Sequence, residues 1–267
     1  MRPARLVGRV PGRVPVARLP GARLPGVTDA VHPGSPGAAT PVGAAEPVRL
    51  LPTPTSRGVA VALAMLTVLH LVAQVAEAPD LARVTQWGLM PLLAAVLWCA
   101  SAAPRPRLVR AVLVALCFSW VGDTAPAFFS GDAAFLAMVA GFLVAQVAYA
   151  AAFWPYRSQS LARRPAALAA YGLVAVAIVG ACAPGAPGPL LAAVVVYALC
   201  LGTMAVLATG VHLLAGIGGV VFLVSDAMIG LGAFTDWFAP PASGLWVMLT
   251  YVAGQALIVA GVLARRD

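Results

Sequence analysis

Eight stretches of about 20 apolar residues, parted by short breaks, constrain this chain more than any other feature. They run over roughly 58–77, 86–103, 108–128, 133–154, 166–183, 189–209, 211–235 and 243–263. A helix of about 20 residues is long enough to cross the hydrocarbon of a bilayer. The breaks read APDLAR, APRPR, FSGD, PYRSQSLARRP, APGAPG and DWFAPPASG, and they hold proline, glycine and nearly all the charge of this region. The sixth and seventh stretches are separated only by a weak break near Gly210 and His212. Of the 267 residues 61% are hydrophobic and 10% charged, whereas a soluble domain carries about 25% charged residues. Such a chain cannot cover a water-facing surface. The expected fold class is all-α: a polytopic bundle of eight transmembrane helices over 57–267, in the cell membrane.

Charge placement supports that count. The basic residues are 17 arginines with no lysine. If both termini are cytoplasmic, the tail and the breaks after even-numbered helices share one side. That side then holds Arg105, Arg107, Arg110, Arg157, Arg163, Arg164, Arg265 and Arg266. The other side holds only Arg83, with Glu77, Asp80, Asp132 and Asp236. This is the asymmetry of the positive-inside rule, so the excess of arginine marks orientation and not a nucleic-acid partner. Arginine without lysine, amid abundant Ala, Val, Gly and Pro, is a codon bias that points to a GC-rich bacterial genome. Cys99, Cys117, Cys182 and Cys200 all fall inside spans and are expected to serve as small buried apolar residues.

Residues 1–56 are of another kind. RVPGRVPVARLPGARLPG repeats Arg, Pro and Gly without a helical or strand period, and its prolines break either element. This tail is expected to be disordered. It lacks the continuous apolar core of a signal peptide. Arg2, Arg5, Arg9, Arg13, Arg18 and Arg23 suit contact with anionic lipid, or the tail is a biased extension without a role.

Two carboxylates stand where they are costly. A charged side chain at the centre of a span costs about 3 kcal/mol on insertion scales. Asp123 lies in LCFSWVGDTAPAF and Asp226 in GGVVFLVSDAMIGLGAF. Each lies roughly 15 residues past the start of its span, hence about 22 Å along it. If the third and seventh helices are neighbours, the two carboxylates can converge. Ser119 sits one turn before Asp123 on the same face, and Gly219, Phe222, Asp226 and Gly230 share another. Stripes of Phe142, Gln146, Tyr149 and Phe153, and of Gly244, Met248, Tyr251 and Gln255, offer hydrogen-bonding groups to a bundle interior. Structural roles stay open for each: Asp123 as a helix end before Thr-Ala-Pro, the tyrosines as interface anchors, the glutamines as bridges between helices, His70 as a satisfied bundle residue. No cluster has metal-ligand spacing, no glycine-rich phosphate loop follows a strand, and no serine lies in a nucleophile elbow. Neither metal nor cofactor is expected.

The same residues resemble a known family. FSWVGD, with Ser119, Gly122 and Asp123, resembles the FSxxGD signature of the YhhN family, whose members include lysoplasmalogenase. GGVVFLVSDAMIG, with Ser225 and Asp226, is similar to GxxxFLxSDxxIA, and GFLVAQVAYAAAF to GxxxFxxAHxxYxxxF. LMPLL is similar to the end of KPLLMPLL, and VMLTYVAGQALIVAG to the closing helix with its Tyr and Gln. The resemblance implies hydrolysis of the vinyl ether bond of lysoplasmalogens, with a lysophospholipid as substrate among the membrane lipids. It makes Asp123 and Asp226 the motif acids. The chain departs from the pattern twice: Gln146 stands where the motif has His, and Gln86-Trp87 where it has Lys-Pro. Glutamine does not transfer a proton at neutral pH.

Vinyl ethers hydrolyse by protonation of the alkenyl carbon, and water captures the resulting oxocarbenium ion. That chemistry needs one carboxyl holding a proton and one group that stabilises positive charge or activates water, as in glycosidases. Asp123 and Asp226 are the expected catalytic pair, in either assignment. Ser119, Gly122, Gln146, Tyr149, Ser225, Tyr251 and Gln255 are the expected supporting residues. The rival functions are a catalytically altered lipid-binding protein, which Gln146 favours, and a small proton-coupled transporter, which the absence of an obvious internal repeat disfavours.

Overall fold

The computed structural model describes residues 50–186 and 188–265. The tail arginines and Arg266 lie outside the described residues. Eight helices are long and apolar enough to cross a membrane. They are α1 (Pro54–Val75), α2 (Pro79–Ala100), α3 (Arg107–Thr124), α4 (Gly131–Phe153), α5 (Pro165–Cys182), α6 (Pro189–Ala208), α7 (Leu213–Phe234) and α8 (Ser243–Ala264). Four of them open on proline at their first position, where a missing N–H leaves no bond unmade. α1 starts at Pro54, three residues before the expected boundary, because Thr53 and Ser56 form a reciprocal cap. α3 ends sooner than its apolar stretch: Pro126 converts Ala125–Phe128 into a 3-10 turn. The weak break at Gly210 is real, and the His212 side chain caps α7 by accepting from Leu214 N–H.

Turns that follow even-numbered helices gather at one end. The Arg265 guanidinium, just past α8, donates to the carbonyls of Gly210 and Val211 and lies 3.7 Å over the Tyr156 ring. Leu161 N–H donates to Thr209, and the Thr53 hydroxyl to the Cys99 carbonyl. Most of the arginines expected in these turns are therefore at this basic end, with Arg107 and Arg110 opening α3.

The closest helix pairs are α7 with α8, α3 with α4, and α1 with α2. Among lipid tails, close approach of backbones replaces hydrophobic burial as the driving force. Glycine permits it at two crossings. A Cβ on Gly141 would sit 2.6 Å from the Gly122 nitrogen, and one on Gly218 would sit 2.6 Å from the Gly254 carbonyl oxygen. α5 differs: it packs on α6 and α7 but not closely on α4, and Cys182 is its one buried residue. The cysteines are free, and Cys117 faces outward from the bundle instead of being buried as expected.

Candidate active site

The aspartates border one cavity of about 640 Å³ at the end of the bundle opposite the basic turns. Its mouth carries Pro79 and Arg83 of α2 and Phe129 beyond α3. Its floor is aromatic: Phe142 of α4 and Tyr251 of α8 line it and meet edge to face at 5.7 Å, with the buried Phe222 of α7 packed against both rings at 5.5–6.3 Å. The condition set for convergence, that α3 and α7 be neighbours, is not met. α3 packs on α2 and α4, and α7 on α6 and α8. The two acids converge across the Phe142 and Tyr251 rings because α4 and α8 stand between their helices.

Asp123, in the last turn of α3, is buried and does not act as a lipid-facing helix end. Tyr251 O–H donates to its Oδ2 at 2.8 Å, and Gln86 Nε2 donates to its Oδ1 at 3.1 Å. Both oxygens are thus held, one from α8 and one from α2. Asp226 lies nearer the middle of its helix. The Tyr197 hydroxyl of α6 hydrogen-bonds its Oδ2, and Oδ1 takes no hydrogen bond from the described residues. By helix rise, Asp226 is eight residues, about 12 Å, from the end of α7 at Phe234.

Gln86 owes its place to a break in α2. Pro91 lies inside that helix and has no N–H to give the carbonyl four residues back, that of Trp87. Trp120 of α3 supplies the missing donor: its indole N–H reaches the Trp87 carbonyl at 2.9 Å. The bond fixes α2 against α3 one residue after Gln86 and three before Asp123.

The other expected residues divide by depth. Tyr251 is on the cavity wall, as is Gly122, whose missing Cβ makes room for the Phe142 ring. Below them, Tyr149 O–H donates to Gln255 Oε1 at 2.6 Å, and Gln255 Nε2 donates to Ser119 Oγ at 3.1 Å. This buried chain ties α4, α8 and α3 beneath the aromatic floor. Gln146 is buried with its amide beside the Tyr197 hydroxyl, and neither amide atom makes a hydrogen bond of good geometry among the described residues. Ser225 is not brought to the cavity: its hydroxyl donates to the Val247 carbonyl of α8 at 2.9 Å. Ser225 immediately precedes Asp226, and consecutive residues lie about 100° apart around a helix, so the turn that aims Asp226 at the cavity aims Ser225 at α8. His70 is engaged at both ring nitrogens, by the Ala82 carbonyl, Thr85 and Gln74.

Sequence reasoning missed Tyr197 as a partner of Asp226. Its signal was a lone phenol in the valine-rich run VVVYALC of α6. It also noted Gln86 only as a departure, not as a ligand of Asp123.

A match to the YhhN family spans residues 81–262, from the first turn of α2 to the last turn of α8. The chain belongs to the YhhN family. No curated protein and no solved structure matches it. In this YhhN protein the strings around Asp123, Phe142, Asp226 and Tyr251 all contribute to one cavity. LMPLL contributes through Pro91, by fixing the segment that carries Gln86.

Proposed function

We propose that the protein is a membrane-embedded hydrolase of the cell membrane that cleaves the vinyl ether bond of lysoplasmalogens. Products are a fatty aldehyde and a glycerophospho-base. The observation that carries this reading is the pair of aspartates, from helices that do not pack together, bordering one cavity whose inner end is apolar.

The chemistry assigns different roles to the pair. Asp123 has both oxygens held by donors, the arrangement an acceptor-only carboxylate uses. Asp226 keeps one oxygen without a partner among the described residues, at the apolar side of the cavity, and is the proton donor. Its proton goes to the alkenyl carbon that does not bear oxygen. The other alkenyl carbon, still bonded to the ether oxygen, becomes the oxocarbenium centre. Asp123 stabilises that charge and takes a proton as water adds there. The hemiacetal then collapses: its hydroxyl loses a proton, the ether oxygen gains one, the carbon–oxygen bond breaks, and one water is consumed overall. Tyr251 and Gln86 orient Asp123, and Tyr197 orients Asp226.

The cavity mouth suits a phosphate. Arg83 is the one arginine on its wall, and its 3.4 Å pair with Asp80 is exposed on both sides and therefore weak. Under the positive-inside rule this mouth faces away from the cytoplasm, with both termini inside.

A second reading has its own observation. Gln86 and Gln146 replace the motif Lys and His, and both are amides at the site, so the protein would bind ether lysolipid without turning it over. One experiment separates the readings. Purified protein is incubated with an alkenyl lysophospholipid and with its ester counterpart. Aldehyde from the alkenyl substrate alone supports the hydrolase. Retention of lipid without aldehyde supports the binder. Proton-dependent uptake into liposomes would replace both with a carrier.

A further inference from the structure

A second space adjoins the cavity at its inner end. It is a narrow slot floored by α6 and α7 and walled by α4 and α5. Met138, Phe142, Asp226 and Ile229 line both spaces, so Asp226 stands at the junction. Apart from Asp226, Tyr171 and Tyr197 the slot walls are apolar, with Val139, Ile178 and Leu201 typical. The slot exists because consecutive helices α4 and α5 do not pack closely, while α6 and α7 hold α5 in place.

Depth gives the slot a direction. At the acidic end the rings of Phe135 and Phe234 close over it, edge to face at 5.0 Å. Towards the middle of the bundle it reaches Gly202, 13 residues from the start of α6, about 20 Å from that end. Gly202 is therefore about 8 Å deeper than Asp226. The slot lies on a helix face with open space: a Cβ on Gly202 would meet nothing within 4 Å.

We propose that this slot binds the hydrocarbon chain of the single-chain lipid, which enters sideways from the bilayer between α4 and α5 and ends at Gly202. The proposal rests on the hydrolase reading for the identity of the lipid but not for the place of its chain. It lets the lipid keep the posture it has in a leaflet, with the phosphate by Arg83 at the surface, the ether bond between the acids and the chain running to the bilayer centre. It also makes Gly202 a specificity-determining residue. A side chain there shortens the slot from its deep end without touching the acids.

The test uses the full-length protein, with Gly202→Trp, Ala175→Trp on the α5 wall, and Gly172→Trp on the outward side of α5. Alkenyl lysolipids of long and short chain are compared by KM and kcat. Gly202→Trp and Ala175→Trp should raise KM for the long chain about tenfold more than for the short one, and Gly172→Trp should leave the ratio unchanged. An unaltered chain-length ratio in both slot variants overturns the proposal. A non-hydrolysable alkyl ether lysolipid with a diazirine near its chain end reads the same site without turnover. Cross-links on α5 and α6 near Gly202, lost in Gly202→Trp, support the slot even if no aldehyde forms. Cross-links confined to helices outside α4–α7 overturn it even if aldehyde does form.

Discussion

The two sides of the bundle are built on opposite terms. On one side α3 meets α4 and α7 meets α8 through glycine crossings, and nine residues of α8 are buried. On the other, α5 has one buried residue and leaves α4 at a distance. The first side holds Asp123, Tyr251 and the Tyr149–Gln255–Ser119 chain in place. The second leaves an apolar passage to Asp226. Close backbone packing surrounds Asp123, and open apolar space adjoins Asp226.

That contrast can be broken most severely at the acids. Asp123→Asn and Asp226→Asn should each lower aldehyde release about 10²–10⁴-fold, with the purified proteins still monodisperse and helical. Full activity in either variant removes that residue from the chemistry. Next come the crossings. Gly254→Leu drives a side chain into the α7 backbone, where even a Cβ would sit 2.8 Å from the Phe222 nitrogen. A loss of about 1–3 kcal/mol or more is expected, seen as a lower Tm in detergent. Gly172→Leu on α5 meets open space and should leave Tm nearly unchanged. Equal losses in the two would erase the distinction between the sides. The smallest effect is at the phenols. Tyr251→Phe and Tyr197→Phe each delete one hydrogen bond to a carboxyl, worth about 0.5–1.5 kcal/mol to a protonated carboxyl and more to an ionised one. A tenfold or larger drop in kcat is expected for Tyr251→Phe, with a displaced limb in the pH–rate profile. An unchanged profile would make Tyr251 a packing residue.

Much of this was legible in the sequence. Eight apolar runs gave eight helices because span length is set by the bilayer and not by packing. The stripes on α4 and α8 faced inward because Gln146, Tyr149, Tyr251 and Gln255 carry polar atoms that lipid cannot satisfy. Which helices touch was not legible. α5 is apolar on almost every face, so no amphipathic stripe says which neighbours it will choose. Contact between α3 and α7 could therefore be posed only as a condition, Tyr197 of α6 was missed beside Asp226, and Ser225 was counted with the site although it bonds to α8.

Pro91 illustrates how two distant strings of a chain become one device. Having no amide hydrogen, it leaves an acceptor on α2 open to the side, and the indole of Trp120 fills it. LMPLL and FSWVGD are therefore two halves of a single clasp. Exchange of Pro91 for alanine would return the helical rung to Trp87 and leave Trp120 competing for it. The segment bearing Gln86 would then lose part of its tie to α3.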